Sequence, residues 1–262
     1  MDNNVTQHFR ADEEPFLADA GRWIQEVFDQ NRPVLTNFLN PREQYILQTL
    51  VNRVDDIRVE FDGGFSNSEL KRGLVFPDYF QPIEADFNLS ILMIDYPTKF
   101  AELEHRQILG TFANLGIERN TFGDIISEGE TWQIIVNREL SNFFLNEVTR
   151  IGKIKVQLKE LEMTNIIQPS EDWEETDTTV KSLRLDLVIS NVFNVSRQRA
   201  KALIEHKRVR VNWSIVEKPD FELQLNDMIS VRQFGRIRVE ELNGETKKGK
   251  LRLTIKFIKN NG

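Results

Sequence analysis

The 262-residue chain carries a net charge of −7 and 40% hydrophobic residues, enough for two or three domains with real cores. It has no cysteine, which excludes disulfides, Cys-ligated zinc and thiol catalysis. The longest apolar run, Ile91-Leu92-Met93-Ile94, is far too short to span a bilayer, and Met1–Asp19 is polar and acidic, unlike a signal peptide. A soluble cytoplasmic protein with no membrane contact is expected. The net charge conceals an asymmetry: residues 180–262 hold 18 Lys and Arg against 9 Asp and Glu, a balance of +9, whereas residues 1–179 stand at −16. Such a division suits a basic module for a polyanion, carried by acidic domains that resist indiscriminate binding.

Phe16, Leu17, Ala20, Trp23, Ile24, Val27 and Phe28 recur at helical spacing, predicting a helix over 15–30. Asn40-Pro41 starts another, because Asn caps and Pro suits the first helical position. A strand over 57–61 ends at Gly63-Gly64; without a following Gly-Lys-Ser/Thr this pair reads as a turn and not as a phosphate loop. Residues 68–80 have no clear period. Residues 1–81 are thus read as a small α/β domain. From 82 to 163 the expected order is a strand (89–95), a helix (99–115, with Phe100, Leu103, Ile108, Leu109, Phe112 and Leu115 inward), two strands about Glu128-Gly129, a helix (138–151) and a last strand. In that strand Ile154, Val156, Leu158 and Leu161 alternate with Lys153, Lys155, Gln157 and Lys159. This βαββαβ order is the ferredoxin-like arrangement, which RNA-recognition-motif domains share, but their aromatic stacking signature is absent. Trp132 is read as a packing residue.

Residues 164–181 are acidic and aperiodic and read as a linker, with Trp173 docking on a neighbouring domain. From Ser182 the pattern tightens. Leu185, Val188, Ile189 and Val192 mark one helix, and Ser196 caps a second running to about His206. On the second, Arg197, Lys201 and Arg208 project from one side at about 100° per residue. Strands follow over 209–212, 227–231, 236–242 and 251–258. The last two, if paired, place Arg236, Arg238, Arg252 and Lys256 on one face beside the loop Lys247-Lys248-Gly249-Lys250.

Arg184-Leu185-Asp186, Ser196-Arg197 with Ala200, Val209, Val211-Asn212, Lys218-Pro219 and Leu225-Asn226-Asp227 together resemble the S4 (αL-type) RNA-binding module. Trp213 and Asn226 stand where that module more often has Gly. The Val-Asn-Trp run, Phe234-Gly235-Arg236 and Gly244-Glu245-Thr246-Lys247-Lys248-Gly249-Lys250 further resemble the YlmH-type bacterial S4 proteins. The expected architecture is therefore α+β: an N-terminal α/β domain, a ferredoxin-like domain at 82–163, the linker at 164–181 and an S4 module with a strand extension at 182–262. The resemblance implies an RNA-binding role for the middle domain that its own residues do not display. It also implies partners, namely rRNA and tRNA on a large ribosomal subunit stalled with peptidyl-tRNA.

The candidate RNA-binding residues are led by Arg184 and Arg197, whose planar forks match phosphate oxygens and which sit where the S4 resemblance places RNA contacts. Arg199, Lys201, Arg208 and Arg210 extend this set, with Ser196, Lys207, Asn212, Lys218, Arg236, Arg238, Lys247, Lys248 and Lys250 around it. A triplet like Arg184-Leu185-Asp186 also surrounds the catalytic aspartate of pseudouridine synthases, but here it opens the module's own helix, where a carboxylate meets the helix dipole or a nearby Arg. His8, His105 and His206 lack ligand spacing, so neither metal nor cofactor is expected. Asp124, Glu128 and Glu130 flank a hairpin without a nucleophile or phosphate cradle. The favoured reading is a monomeric, non-enzymatic RNA binder. An RNA-modifying enzyme with its site in 1–163 and a protein-interaction adaptor of cell division are the alternatives.

Overall fold

The computed structural model describes residues 9–169 and 173–259, in two compact units divided between Pro169 and Ser170. His8 lies outside the described residues. The first unit opens with helix α1 (Glu14–Gln30), strand β1 (Val34–Leu39), helix α2 (Pro41–Val51) and strands β2 (Ile57–Asp62) and β3 (Lys71–Pro77). The strands form an antiparallel sheet in the order β1-β3-β2, and both helices bury Leu17, Val27, Ile46, Leu47 and Leu50 in a core shared with β2 and β3. The predicted cap is present: the Asn40 side chain accepts from the amides of Arg42 and Glu43, and Glu43 accepts in return from the Asn40 amide. Gly63-Gly64 is a turn, with the Gly64 amide donating to Asp62 Oδ1 at 2.8 Å.

Strand β4 (Leu89–Asp95), helix α3 (His105–Ala113), strands β5 (Phe122–Glu128) and β6 (Thr131–Asn137), helix α4 (Ser141–Glu147), the short hairpin β7 (Arg150–Ile151) and β8 (Ile154–Lys155), and strand β9 (Gln157–Leu161) follow. The antiparallel order β5-β6-β4-β9 is the expected ferredoxin-like sheet. Both predicted helices are shorter than their apolar patterns. A turn at Pro97–Phe100 delays α3 and leaves Phe100 89% exposed, not inward. After α4, Gly152 at φ 57° turns the chain into the hairpin. Trp132 packs on the core of this layer.

The division expected at residue 81 separates two layers of one unit. Buried Arg72 of β3 joins them, donating to the carbonyls of Thr36, Phe87 and Asn88 and to Asn137 Oδ1. Burial lowers its guanidinium pKa to about 10, so it remains charged at neutral pH. Asp124 Oδ2 accepts from the amides of Glu69 and Leu70 and so pins that loop to β5.

The second unit contains strand β10 (Glu174–Val180), helices α5 (Leu185–Val192) and α6 (Arg197–Glu205), and strands β11 (Val209–Val211), β12 (Ser214–Ile215), β13 (Met228–Val231), β14 (Gly235–Glu245) and β15 (Leu251–Lys259). Its antiparallel sheet runs β10-β15-β14-β13-β11-β12. The helices cover one face, burying Leu185, Val188, Ile189, Ala200 and Ile204 against Val209, Ile229, Ile237, Val239 and Ile255. The stretch read as an acidic linker is thus in part an edge strand. Its acids answer charge and polarity on β15: Glu175 lies 3.7 Å from Lys256 Nζ, and Asp177 accepts from the Thr254 hydroxyl at 2.7 Å. Val180 is its single buried residue, so no alternation marks it in the sequence.

Candidate nucleic-acid interface

The residues before α5 are tied to the loop ahead of β13. Leu185 and Asp186 donate their amides to the carbonyls of Phe221 and Pro219, and Leu223 donates to Leu183. These bonds satisfy helix-start donors and fix Asp186 beneath the start of α6, fully buried. Its carboxylate accepts from Arg184 Nε and Nη2 (3.1 and 3.2 Å) and from Arg197 Nε (2.9 Å). Burial pushes the Asp186 carboxyl up, but the hydrogen bonds and charges of the two arginines together outweigh it and hold the group below the usual carboxylate range. The Arg184 guanidinium is raised in turn, chiefly by its hydrogen bonds to Asp186. The side chains of Arg184 and Arg197 are 34% and 50% exposed. One buried anion therefore holds two guanidinium forks side by side at the surface, with net charge +1 and unspent N–H donors toward solvent.

Around this pair the predicted residues divide into groups. Ser196 caps α6 by accepting from the Arg199 amide at 3.2 Å, and Lys201 lies one turn beyond Arg197. Arg199 stacks over Phe234, which itself packs on Phe193. Lys218 is exposed beside Pro219, whose carbonyl holds Asp186. Two expectations change. The helix ends at Glu205 and Lys207 turns left-handed at φ 59°, so Arg208 is not on the face of Arg197 and Lys201. Asn212 is not a free contact: it forms the β11–β12 turn at φ 47°, donates to Asp227 and accepts from the Met228 amide. Trp213 and Asn226, in the places where Gly is commoner, are also left-handed, at φ 66° and 65°. Lys207 pairs with Glu217 at 3.3 Å.

Strand register gives the remaining cations a different face. Arg210 lies opposite Ser230, Ser230 opposite Arg236, and Arg238 opposite Lys256. This row alternates with the buried residues beneath the helices, so it occupies the opposite side of the sheet. Trp173 stacks here, 5.6 Å from Arg236 and 5.8 Å from Arg238, both residues of its own unit. Arg238 also pairs with Glu240. Lys247, Lys248 and Lys250 occupy the exposed β14–β15 turn, which is closed by Thr246. Sequence reasoning already places Lys256 on the face of Arg236 and Arg238, and the register pairs it with Arg238; it leaves Trp173 out, because that residue precedes a strand with no alternation. Among the described residues no group of three or more His, Asp or Glu is placed to hold a metal ion, and no helix is long and apolar enough to cross a membrane.

Two helices over a small sheet, presenting an arginine pair clasped by a buried aspartate, define an S4-domain RNA-binding protein, and the S4 domain model matches residues 183–229. A second model, described as a putative RNA-binding domain in YlmH, matches residues 82–165. The chain is 38% identical over 253 residues to ribosome-associated protein quality control protein P2 of Bacillus subtilis, covering 97% of this chain and 98% of that one. The chain belongs to the YlmH family. The solved structure of cell division protein ylmH from Streptococcus pneumoniae is 40% identical with a TM-score of 0.54, covering 62% of this chain and 98% of that one. Small ribosomal subunit protein uS4 of Shewanella loihica matches over 56 residues at 39% identity, 21% of this chain and 27% of that one.

Proposed function

We propose that this protein is a non-enzymatic, cytoplasmic RNA binder that acts as a monomer without cofactor. It grips folded rRNA and tRNA on a large ribosomal subunit carrying stalled peptidyl-tRNA, in ribosome-associated quality control. The observation that carries this reading is the clasp of Arg184 and Arg197 on buried Asp186, because a fixed pair of forks suits adjacent phosphate oxygens. The name of the Bacillus subtilis relative supports the ribosomal setting. Arg199, Lys201 and Lys218 extend the grip beside the helices, and Arg210, Arg236 and Arg238 offer a second contact on the far sheet face.

Six phosphate contacts give a log–log salt slope of roughly −4 to −5, at about 0.7–0.9 per phosphate. Arg197→Ala is expected to flatten the slope by about one such step, measured on purified large subunits; an unchanged slope and affinity removes Arg197 from the contact set. Nucleoside mass analysis of rRNA after incubation tests the catalytic alternative, and a turnover-dependent change would reverse the non-enzymatic reading. The cell-division name of the Streptococcus pneumoniae protein favours the adaptor reading. That reading requires a protein partner that survives both nuclease treatment and the loss of Arg184 and Arg197.

A further inference from the structure

Ferredoxin-like domains that bind RNA present bases with the open face of the sheet. In this chain that face is closed. Ile91 and Ile135 at its centre are fully buried, and Gln133 beside them is 2% exposed. The Gln133 amide is spent, donating to the Asn165 carbonyl and accepting from the Ile167 amide, both at 2.9 Å. Phe38 of β1 lies so close to Gly123 that a Cβ there would sit 2.7 Å from its ring. Side chains of Met163, Ile166 and Ile135 surround Gly64. Arg72 fills the corner at Asn137. Bases reach the centre of this face only if the N-terminal layer is removed, while its margin at Gln157 and Lys159 stays exposed.

The charge lies elsewhere. Residues 1–169 hold 16 Lys and Arg against 27 Asp and Glu, yet 150–159 (Arg-Ile-Gly-Lys-Ile-Lys-Val-Gln-Leu-Lys) contains four of those cations and no acid. The fold makes this run a stripe. Arg150 lies opposite Lys155 in the β7–β8 hairpin, and Ile151, Val156 and Leu158 are buried. Lys153, Lys155, Gln157 and Lys159 are all exposed and alternate with those buried positions, so they share the outer side. The stripe from Lys153 to Lys159 is about 20 Å long at 3.3 Å per residue. It follows β9, the outer strand of its sheet. Lys159 pairs with Asp95 at 2.5 Å. Arg150 donates to the Lys153 carbonyl, and among the described residues Arg150, Lys153 and Lys155 have no carboxylate in ion-pair contact.

We propose that this edge, Arg150, Lys153 and Lys155 with Lys159 at its end, is a further RNA-backbone contact, separate from the C-terminal unit and lying at the exposed margin of the covered sheet face, where Lys159 pairs with Met93. Cations in a row with no aromatic ring among them select phosphates, not bases. The occupant is therefore a folded RNA read by shape.

The test uses full-length protein and purified 23S ribosomal RNA. The triple variant Arg150→Gln, Lys153→Gln, Lys155→Gln is compared with a control of equal charge loss at exposed cations of the same unit, Arg22→Gln, Arg53→Gln, Lys99→Gln. The hairpin triple is expected to flatten the salt slope by about two to three and the control by less than about half a unit, with both melting temperatures unchanged. Equal effects of the two triples, or an unchanged slope in the hairpin triple, overturn the proposal, as does loss of an acidic protein partner while RNA binding stays intact. Repeating the comparison in an Arg184→Ala, Arg197→Ala background keeps this outcome distinct from that of the C-terminal site. The hairpin effect persists there if the edge binds RNA independently, and its disappearance overturns that independence.

Discussion

Asp186→Asn is expected to weaken RNA binding severalfold, although it removes a negative charge from a surface that binds a polyanion. Two effects oppose each other. A buried carboxylate about 7 Å from a phosphate repels it by roughly 2.4 kcal/mol at an effective dielectric of about 20, cut to about 1 kcal/mol by salt at a Debye length of about 8 Å, so its removal favours binding. Against that, the carboxylate is what immobilises Arg184 and Arg197, and ordering a long side chain at an interface costs about 0.5–1.5 kcal/mol each. The ordering cost for two arginines exceeds the repulsion, so pre-organisation wins. Equal or tighter binding by the Asn variant would sink the idea that the clasp matters. The same variant has a stability signature. The folded Asp186 carboxyl titrates below its ordinary value, so its contribution is complete above about pH 4 and is lost as pH falls through the folded pKa. The wild type should lose more stability on acidification from pH 5 to 3 than the Asn variant does. At neutral pH the Asn variant should be less stable by about 2 kcal/mol, under the usual cost of breaking a buried pair because both arginines reach solvent. Denaturant melts across that pH range measure both quantities.

Local rules are legible in the sequence wherever one residue type performs one local task. Asn40 and Ser196 cap the helices whose starts they predict. The alternation from Ile154 to Lys159 marks a buried and an exposed side, and it fails at Leu161, which shares the face of Lys159 and pairs with Ile91. Strand β1 is invisible because its register shifts between Leu35 and Phe38, which destroys the period of two. Strand β3 is obscured because it is buried on both faces and opens with Lys71-Arg72. Arg208 is misplaced by extending a helical period past the residue where Lys207 turns left-handed. The candidate site is legible as a set of cations and, for Arg236, Arg238 and Lys256, as one strand face, which the register bears out. That Asp186 meets Arg197 eleven residues on is a fact of tertiary packing and leaves no trace in spacing.

Gly235→Ala is expected to unfold the C-terminal unit, or to lower its stability by more than about 3 kcal/mol, while the first unit melts as before. Gly235 opens β14 at φ 136°, a conformation that L side chains rarely adopt. A Cβ there would lie 1.8 Å from the Ile258 carbonyl oxygen and 2.9 Å from its carbon. These are backbone atoms of the strand paired with β14, so no rotamer change relieves the overlap; β14 and β15 must part. Their separation exposes Ile237, Val239, Leu253 and Ile255, which form the floor beneath α5 and α6, and the clasp on Asp186 goes with them. A second glycine of the same ribbon supplies the contrast. Gly244 is also positive, at φ 79°, but a Cβ there meets nothing within 4 Å. Gly244→Ala should therefore cost only about the 1–2 kcal/mol of a left-handed L-residue, and Gly244→Asn less still. Asn should not rescue position 235, because the obstruction there is steric. Calorimetry resolves the matter: the first unit has its own buried cores, so its transition should stay in place while that of the second moves or vanishes. If Gly235→Ala melts like the wild type, the close pairing of β14 and β15 that supports the arginine clasp is wrong.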